Sequence, residues 1–406
     1  MPKKIHHLNP SQHQAVCPEC QHLLILAGAG SGKTRVLVER IAWLVENNHA
    51  SPMEIMAVTF TNKASKEMLG RLDTLLNMNS RGLWVGTFHG LAHRFLRQHF
   101  EAADLPQSFQ ILDSDDQIRL IKRIEKEMNI DDERFPPKQV QWFINTQKEN
   151  GRRAAHIQPN GEYFTEVMLS IYQQYEAFCE RNGLVDFTEL LLRCHETLRD
   201  NSELLAHYQK RFRHILVDEF QDTNTLQYAW LRLLAGQDNH LFAVGDDDQS
   251  IYSWRGAKIE NIHRFSQDFP DTETIRLEQN YRSTETILSA ANALIVNNTE
   301  RMGKRLWTED NPGTLIDQYA AFNDFDEAIF ISERIQQYRN QGVPLNEIAI
   351  LYRANALSRV LEETLSRAQL PYKIYGGHKF FSRAEIKDAL AYLRLINFSN
   401  DDPSFE

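Results

Sequence analysis

The sequence is short of cysteine, of long apolar runs and of net positive charge, and each shortage removes a class of protein. Four cysteines in 406 residues cannot build a disulfide framework, which points to a reducing, cytoplasmic setting. No apolar stretch approaches the ~20 residues that cross a bilayer, and the opening Met1-Pro2-Lys3-Lys4-Ile5-His6-His7 lacks the apolar core of a signal peptide, so no membrane partner is expected. Lysine and arginine number 45 against 55 acidic residues, a formal charge of −10. That balance argues against holding polyanions by bulk charge, so a nucleic-acid role would rest on local sites. What is left is an ordinary globular composition, 42% apolar and 25% charged, with room for two or three domains at ~150 residues each.

Cys17-Pro18-Glu19-Cys20 has the spacing of half a zinc site, with His13 and His22 nearby. Cys179 and Cys194 do not supply a second pair, so a reduced surface turn before the first strand is the expectation, without a metal. Lys122-Arg123 and Arg152-Arg153 sit in a stretch that also holds Glu125, Glu127, Asp131, Asp132 and Glu133. Mixed charge of this kind reads as solvated helical faces.

Short apolar runs recur, each followed by a Gly-rich or polar loop and a helical pattern: Leu23-Leu24-Ile25-Leu26, Ile55-Met56-Ala57-Val58, Leu83-Trp84-Val85, Ile215-Leu216-Val217 and Leu241-Phe242-Ala243-Val244. Runs without alternation are strands buried on both faces, the mark of a parallel sheet. Between residues 91 and 213 long amphipathic segments (115–128, 163–181) replace them, which predicts an all-helical insertion. A second α/β unit is expected from Leu277, with a helix over 325–339 and strands at Ile348-Ala349-Ile350-Leu351-Tyr352 and Tyr372-Lys373-Ile374-Tyr375.

Ala27-Gly28-Ala29-Gly30-Ser31-Gly32-Lys33-Thr34 joins the first strand to a helical run. The glycines allow successive backbone N–H groups to face phosphate oxygens at a helix N-terminus. Lys33 can bridge the β- and γ-phosphates, and the Thr34 hydroxyl can ligate Mg²⁺. The strict P-loop pattern has Gly where this chain has Ala27. After the strand at 215–217 comes Asp218-Glu219-Phe220-Gln221-Asp222. Carboxylates there sit where open α/β sheets bind ligands, Asp218 for Mg²⁺ and Glu219 for the attacking water. After the next strand, Gly245-Asp246-Asp247-Asp248-Gln249-Ser250-Ile251-Tyr252-Ser253-Trp254-Arg255-Gly256 places Gln249 to sense a γ-phosphate. Tyr252 and Trp254 are either stacking platforms for unpaired bases or core aromatics.

Taken together these motifs resemble superfamily 1 DNA helicases of the UvrD/Rep/PcrA family, most closely the DNA helicase II branch, whose P-loop begins with Ala. Leu8-Asn9-Pro10-Ser11-Gln12 resembles the adenine-reading Q motif, with Gln12 reading. Ala57 through Ala64 and Gly86-Thr87-Phe88-His89-Gly90 resemble strand-contacting motifs. Leu277-Glu278-Gln279-Asn280-Tyr281-Arg282-Ser283 resembles the motif that supplies an adenine-stacking Tyr281 and an arginine finger, Arg282. Tyr352-Arg353-Ala354-Asn355 and segments from Gly376 to Arg383 resemble later motifs.

The resemblance implies a RecA-like P-loop NTPase domain 1A over residues 1–90 and 214–276, a helical domain 1B over 91–213, the first part of a RecA-like domain 2A over 277–377, and the start of a domain 2B over 378–406. It implies an ATP-dependent 3′-to-5′ helicase or single-strand translocase with ATP and Mg²⁺ as cofactors, serving DNA repair or replication with single-stranded DNA, duplex junctions and repair proteins as partners. ATP would be held by Gln12, the loop from Ala27 to Thr34, Arg35, Tyr281 and Arg282. DNA would meet Thr59, Phe60, Asn62, His89, Tyr252, Trp254, Arg255 and Arg353. The match corresponds to the N-terminal ~55–60% of such a helicase. The alternative expectation is therefore an ATP- and single-strand-binding module with little or no unwinding.

Overall fold

The computed structural model describes residues 8–375, apart from 19, 79, 160 and 300, together with residues 384–397. Among the described residues, eight strands run in chain order as β1 (His22–Ala27), β2 (Ile55–Thr59), β3 (Trp84–Thr87), β4 (Gln110–Leu112), β5 (Leu184–Asp186), β6 (His214–Val217), β7 (His240–Gly245) and β8 (Thr272–Leu277). The chain forms two compact units, residues 1–314 and 315–406.

A six-stranded sheet of order β3-β2-β6-β7-β1-β8 organises the first unit, and every ladder in it is parallel. The unbroken apolar runs are explained by what lies on each side. Leu24, Leu26, Met56, Val58, Ile215, Val217, Leu241 and Ala243 enter one core with the helices Phe88–Gln98, Phe187–Asp200 and Thr225–Leu234. Their neighbours Leu23, Ile25, Ala57, Leu216, Phe242 and Val244 enter the opposite core with the helices Lys33–Glu46 and Asn62–Leu76. Successive residues of a strand point to opposite faces, so a strand covered on both sides must be apolar throughout. Because all the strands run one way, their C-terminal ends gather the loops that follow Ala27, Thr59, Thr87, Val217 and Gly245 at one edge. The fold is α/β and RecA-like.

The inserted helices Ser114–Glu127, Pro137–Glu149 and Tyr163–Asn182 pack on a separate core that includes Ile121, Ile124, Ile144 and Tyr172. The insertion is helical except for one parallel two-stranded ladder, in which Gln110 opposes Leu184. Three-residue strands carry too little pattern to be recognised by periodicity. The expectation that Arg152-Arg153 lies on a solvated face is corrected at Arg153. Its guanidinium bonds Glu189 at 2.7 and 2.8 Å, Glu196 at 2.5 Å and Glu176 at 3.3 Å. Beside it, buried Lys148 meets Asp186 at 2.6 Å and Glu189 at 3.0 Å. The partners of Arg153 lie 23 to 43 residues away, and local charge pattern counts only chain neighbours.

Residues 277–314 lie in the first unit. In the second, the helices Asp324–Asn340 and Ser358–Arg367 enclose a small core of Ile335, Leu365 and Leu370. Neither apolar run expected to form a strand there does so: among the described residues from 315 onward there is no strand. Leu351 is 93% exposed, and the two runs flank an open cleft of about 710 Å³. An extended apolar run becomes a strand only when a neighbour completes its hydrogen-bond ladder, and among the described residues neither run has one.

Candidate active site

The loop after β1 is braced from three directions. Gln12 caps its own helix, Pro10–Val16, in a reciprocal box with Asn9. It is 1% exposed and its Nε2 donates to the Ser31 carbonyl at 2.9 Å. With its Oε1 accepting from the Asn9 N–H, both polar ends of Gln12 are engaged inside the protein. Ser31 donates its hydroxyl to the Gly28 carbonyl at 2.7 Å. From the far side, buried Asn280 donates to the Ala29 carbonyl at 2.6 Å while its oxygen receives the Arg282 and Ser283 N–H groups. Gly30 and Gly32 adopt φ of +67° and +87°, a region open to glycine. A Cβ on Gly30 would fall 2.6 Å from Asn280 and 2.8 Å from the Arg282 Cβ.

This packing brings Tyr281 and Arg282, more than 245 residues along the chain, onto the loop: the Tyr281 N–H donates to the Gly30 carbonyl at 3.0 Å. The exposed Tyr281 ring is anchored by the Asn9 side chain, which donates to its hydroxyl at 2.8 Å. Arg35 is exposed and lines a separate groove with Glu39, Glu67 and Arg71.

Lys33 Nζ meets Glu219 Oε2 at 3.0 Å. Glu219 sits at φ +50°, an uncommon conformation for a residue with a side chain and one often found at functional positions. Asp218 is buried at the end of β6. Burial first, then the neighbouring Glu219 charge, pushes its carboxyl up to about 6, while Lys33 and a hydrogen bond from Thr34 pull it back. Asp222 is likewise pushed up to about 7 by burial and by Glu219. A desolvated carboxylate beside a hydroxyl is an oxygen donor set that suits Mg²⁺, whose charge would offset the burial.

From Glu219 a relay of polar contacts runs to the loop after β7. Gln221 donates to Glu219 Oε2 at 2.8 Å and accepts from the Asp246 N–H at 2.8 Å. Asp246 in turn accepts from Gln249 Nε2. Asp246, Asp247 and Asp248 converge closely enough to hold a cation, and the Lys304 ammonium occupies that position, bonded to all three.

On the surface beyond, Trp254 is 66% exposed, which sets aside the core reading. The Arg255 guanidinium lies 5.3 Å from the Tyr252 ring and 4.6 Å from the Trp254 ring. Asn62 is exposed at the start of its helix, and half-buried Phe60 packs edge-on to Phe88. Burial pushes the His89 imidazole below its usual range. Thr59 is corrected as a strand contact: it is fully buried and its hydroxyl donates to the Thr61 carbonyl at 3.2 Å. A β-strand terminus was visible in sequence; which side chain it turned inward was not. Arg353 is exposed in the second unit, and residues 376–383 lie outside the described residues. Cys17 and Cys20 are free thiols. Sequence reasoning missed Asn9, Gln221, Asn280 and Lys304, polar residues whose partners are remote in the chain.

Two family profiles cover the chain: the UvrD/REP helicase N-terminal domain over residues 8–270 and the UvrD-like helicase C-terminal domain over residues 275–406. The chain is similar to DNA helicase II of Escherichia coli, 59% identical over 399 residues, covering 98% of this chain and 55% of that protein. It is similar to DNA helicase II of Haemophilus influenzae at 54% identity, covering 98% and 55%. The ATP-dependent DNA helicase PcrA of Staphylococcus aureus is 43% identical over 403 residues, covering 99% and 55%. The chain thus spans about half the length of the curated relatives it matches.

Proposed function

The chain belongs to the UvrD/REP helicase family, and on that footing we propose that it couples ATP hydrolysis to 3′-to-5′ movement along single-stranded DNA and to duplex unwinding, in repair or replication. The observation that carries this reading is the convergence at one sheet edge of the phosphate-cradling loop, the Lys33–Glu219 pair and the Asn9–Tyr281 contact. Backbone N–H groups from 28 to 34 and Lys33 would hold the phosphates, Tyr281 would stack on the base, and Glu219 would take a proton from the attacking water. Arg282 would reach charge developing on the γ-phosphate, and Gln249 would sense that group. Mg²⁺ would be held through Thr34 and Asp218, and when bound it neutralises phosphate charge. Single-stranded DNA would stack on Tyr252, Trp254 and Phe60, with Asn62, His89, Arg255 and Arg353 contacting its backbone or bases.

The domains proposed are 1A (1–90 and 214–276), 1B (91–213), part of 2A (277–377) and the start of 2B (378–406). A second reading, an ATP- and single-strand-binding module that does not unwind, is favoured by the absence of a strand among the described residues from 315 onward. Both readings are tested by ATP turnover of the purified chain with and without oligonucleotide, alongside strand displacement. DNA-stimulated turnover with displacement, both lost in Lys33→Ala, supports the first. Binding of both ligands without displacement supports the second. Turnover indifferent to DNA, with no DNA binding, sinks both.

A further inference from the structure

Lys304 is 2% exposed in its side chain and lies within hydrogen-bond reach of three carboxylates: Asp246 at 2.7 Å, Asp248 at 3.0 Å, and Asp247. Arg301 adds a two-pronged contact to Asp248 at 2.7 and 2.9 Å and donates to the Lys304 carbonyl at 2.8 Å. The Met302 N–H donates to Asp247 at 2.7 Å. One short segment, residues 301–304, therefore grips every acid of the loop that carries Gln249.

The same segment continues straight onto the phosphate-cradling loop. The Leu306 side chain covers Gly28 so closely that a Cβ there would sit 2.1 Å from it. The Trp307 backbone pairs with Glu278 and Asn280 at 3.1 and 2.8 Å, and Asn280 is the residue that holds the Ala29 carbonyl. Through Asp246, Lys304 also closes the relay that runs by Gln221 and Glu219 to Lys33. Residues 301–307 are none of those proposed above to hold nucleotide or DNA.

We infer that Lys304 is a positioning residue: it holds the acidic loop against the segment that packs on the phosphate-cradling loop, so that occupancy of the nucleotide site is felt at Tyr252 and Trp254. The physical reason is charge balance. Two buried carboxylates, Asp246 and Asp247, and the half-buried Asp248 repel one another and would spread apart unless a buried cation offsets them. An ammonium with three donors fits a three-sided site as a point charge, which a planar guanidinium does not. Removing Lys304 releases Asp246, and with it the contact that orients Gln249. Sites coupled through a shared element influence one another reciprocally, commonly by about 5–150-fold in affinity.

The inference rests on the proposed ATP and single-strand sites, and its test separates the two. A fluorescent oligothymidylate is titrated into the 406-residue chain with and without saturating Mg²⁺ and a non-hydrolysable ATP analogue. The wild-type chain is expected to change its oligonucleotide affinity at least five-fold on nucleotide binding. Lys304→Met is expected to bring that ratio within about two-fold of unity while each separate affinity moves less than about three-fold. If Lys304→Met does not fold by circular dichroism, Lys304→Met with Asp247→Asn removes the charges in balance and is expected to fold with the ratio still lost. A wild-type ratio retained in either folded variant overturns the inference, as does a parallel loss of both separate affinities. A wild-type chain that binds both ligands independently overturns it while leaving the two sites intact. A wild-type chain that binds neither removes the reading beneath it.

Discussion

Lys33 is a charge at the first position of its helix, directly after a loop whose backbone is held by Gln12, Asn280 and Tyr281, so Lys33→Ala should spare the fold. On the proposed reading hydrolysis should fall by about 10²-fold or more, since the ammonium would act on charge that develops during phosphoryl transfer; a steady-state phosphate-release assay checks it. Asp218 gives a pH dependence with opposed signs. Its folded-state value of about 6 lies above the ordinary 3.8, so protonation favours the fold, and that contribution fades as pH rises through about 6. Protonation also removes the carboxylate that would hold Mg²⁺. Metal-dependent nucleotide affinity should therefore decline as pH drops from 7 to 5, measured by calorimetry at fixed free magnesium. Trp254→Ala removes an exposed ring and should weaken single-strand binding by about 1–3 kcal/mol. Its melting temperature should stay unchanged, which separates stacking from packing.

Among the helices, Glu125 is the misfit. It is 1% exposed, and among the described residues neither carboxylate oxygen has a hydrogen-bond partner. Burial first, then the Asp132 charge, pushes it up to about 7, with Lys122 opposing. The penalty falls on the ionised form, so it is present above pH 7 and relieved on acidification. Glu125→Met should stabilise the chain by about 1–3 kcal/mol at pH 8 and by less at pH 5, read from urea midpoints at the two values. By contrast, Lys148, Arg153, Asp186 and Glu189 satisfy one another, and removing a single member leaves an unpaired buried charge. The helix Pro137–Glu149 also reaches the aromatic loop, since the Glu149 carboxylate fills the space where a Cβ of Gly256 would stand.

At the scale of the whole molecule, a chain of charge −10 would, on the proposed reading, hold DNA by few cationic contacts and by stacking. Each phosphate neutralised on a single strand adds about −0.7 to the slope of log affinity against log salt. With Arg255 the exposed cation beside the aromatic pair and Arg353 in the second unit, the slope should be shallow, about −1 to −2. Titrations between 50 and 200 mM salt, a range over which basic-groove binders lose orders of magnitude, measure it; a slope steeper than about −4 would reveal a basic track the composition hides.

How much of this could be read along the chain depended on the range of the forces involved. Parallel strands covered on both faces, helix periods, the glycines at positive φ and the acids at strand ends are local consequences of backbone geometry and burial, and residues 22–34, 55–62 and 214–222 carried them legibly. The strands expected at 348–352 and 372–375 did not form, because a ladder needs a neighbour that no local pattern can supply. The inward turn of Thr59, the engagement of Gln12, the clasp of Arg153 and the place of Lys304 among three aspartates were all decided by folding. Thr59 and Gln12 are set by the packing around their own elements, whereas the Arg153 and Lys304 contacts join groups 23 to 57 residues apart, whose charges meet only once the chain has folded.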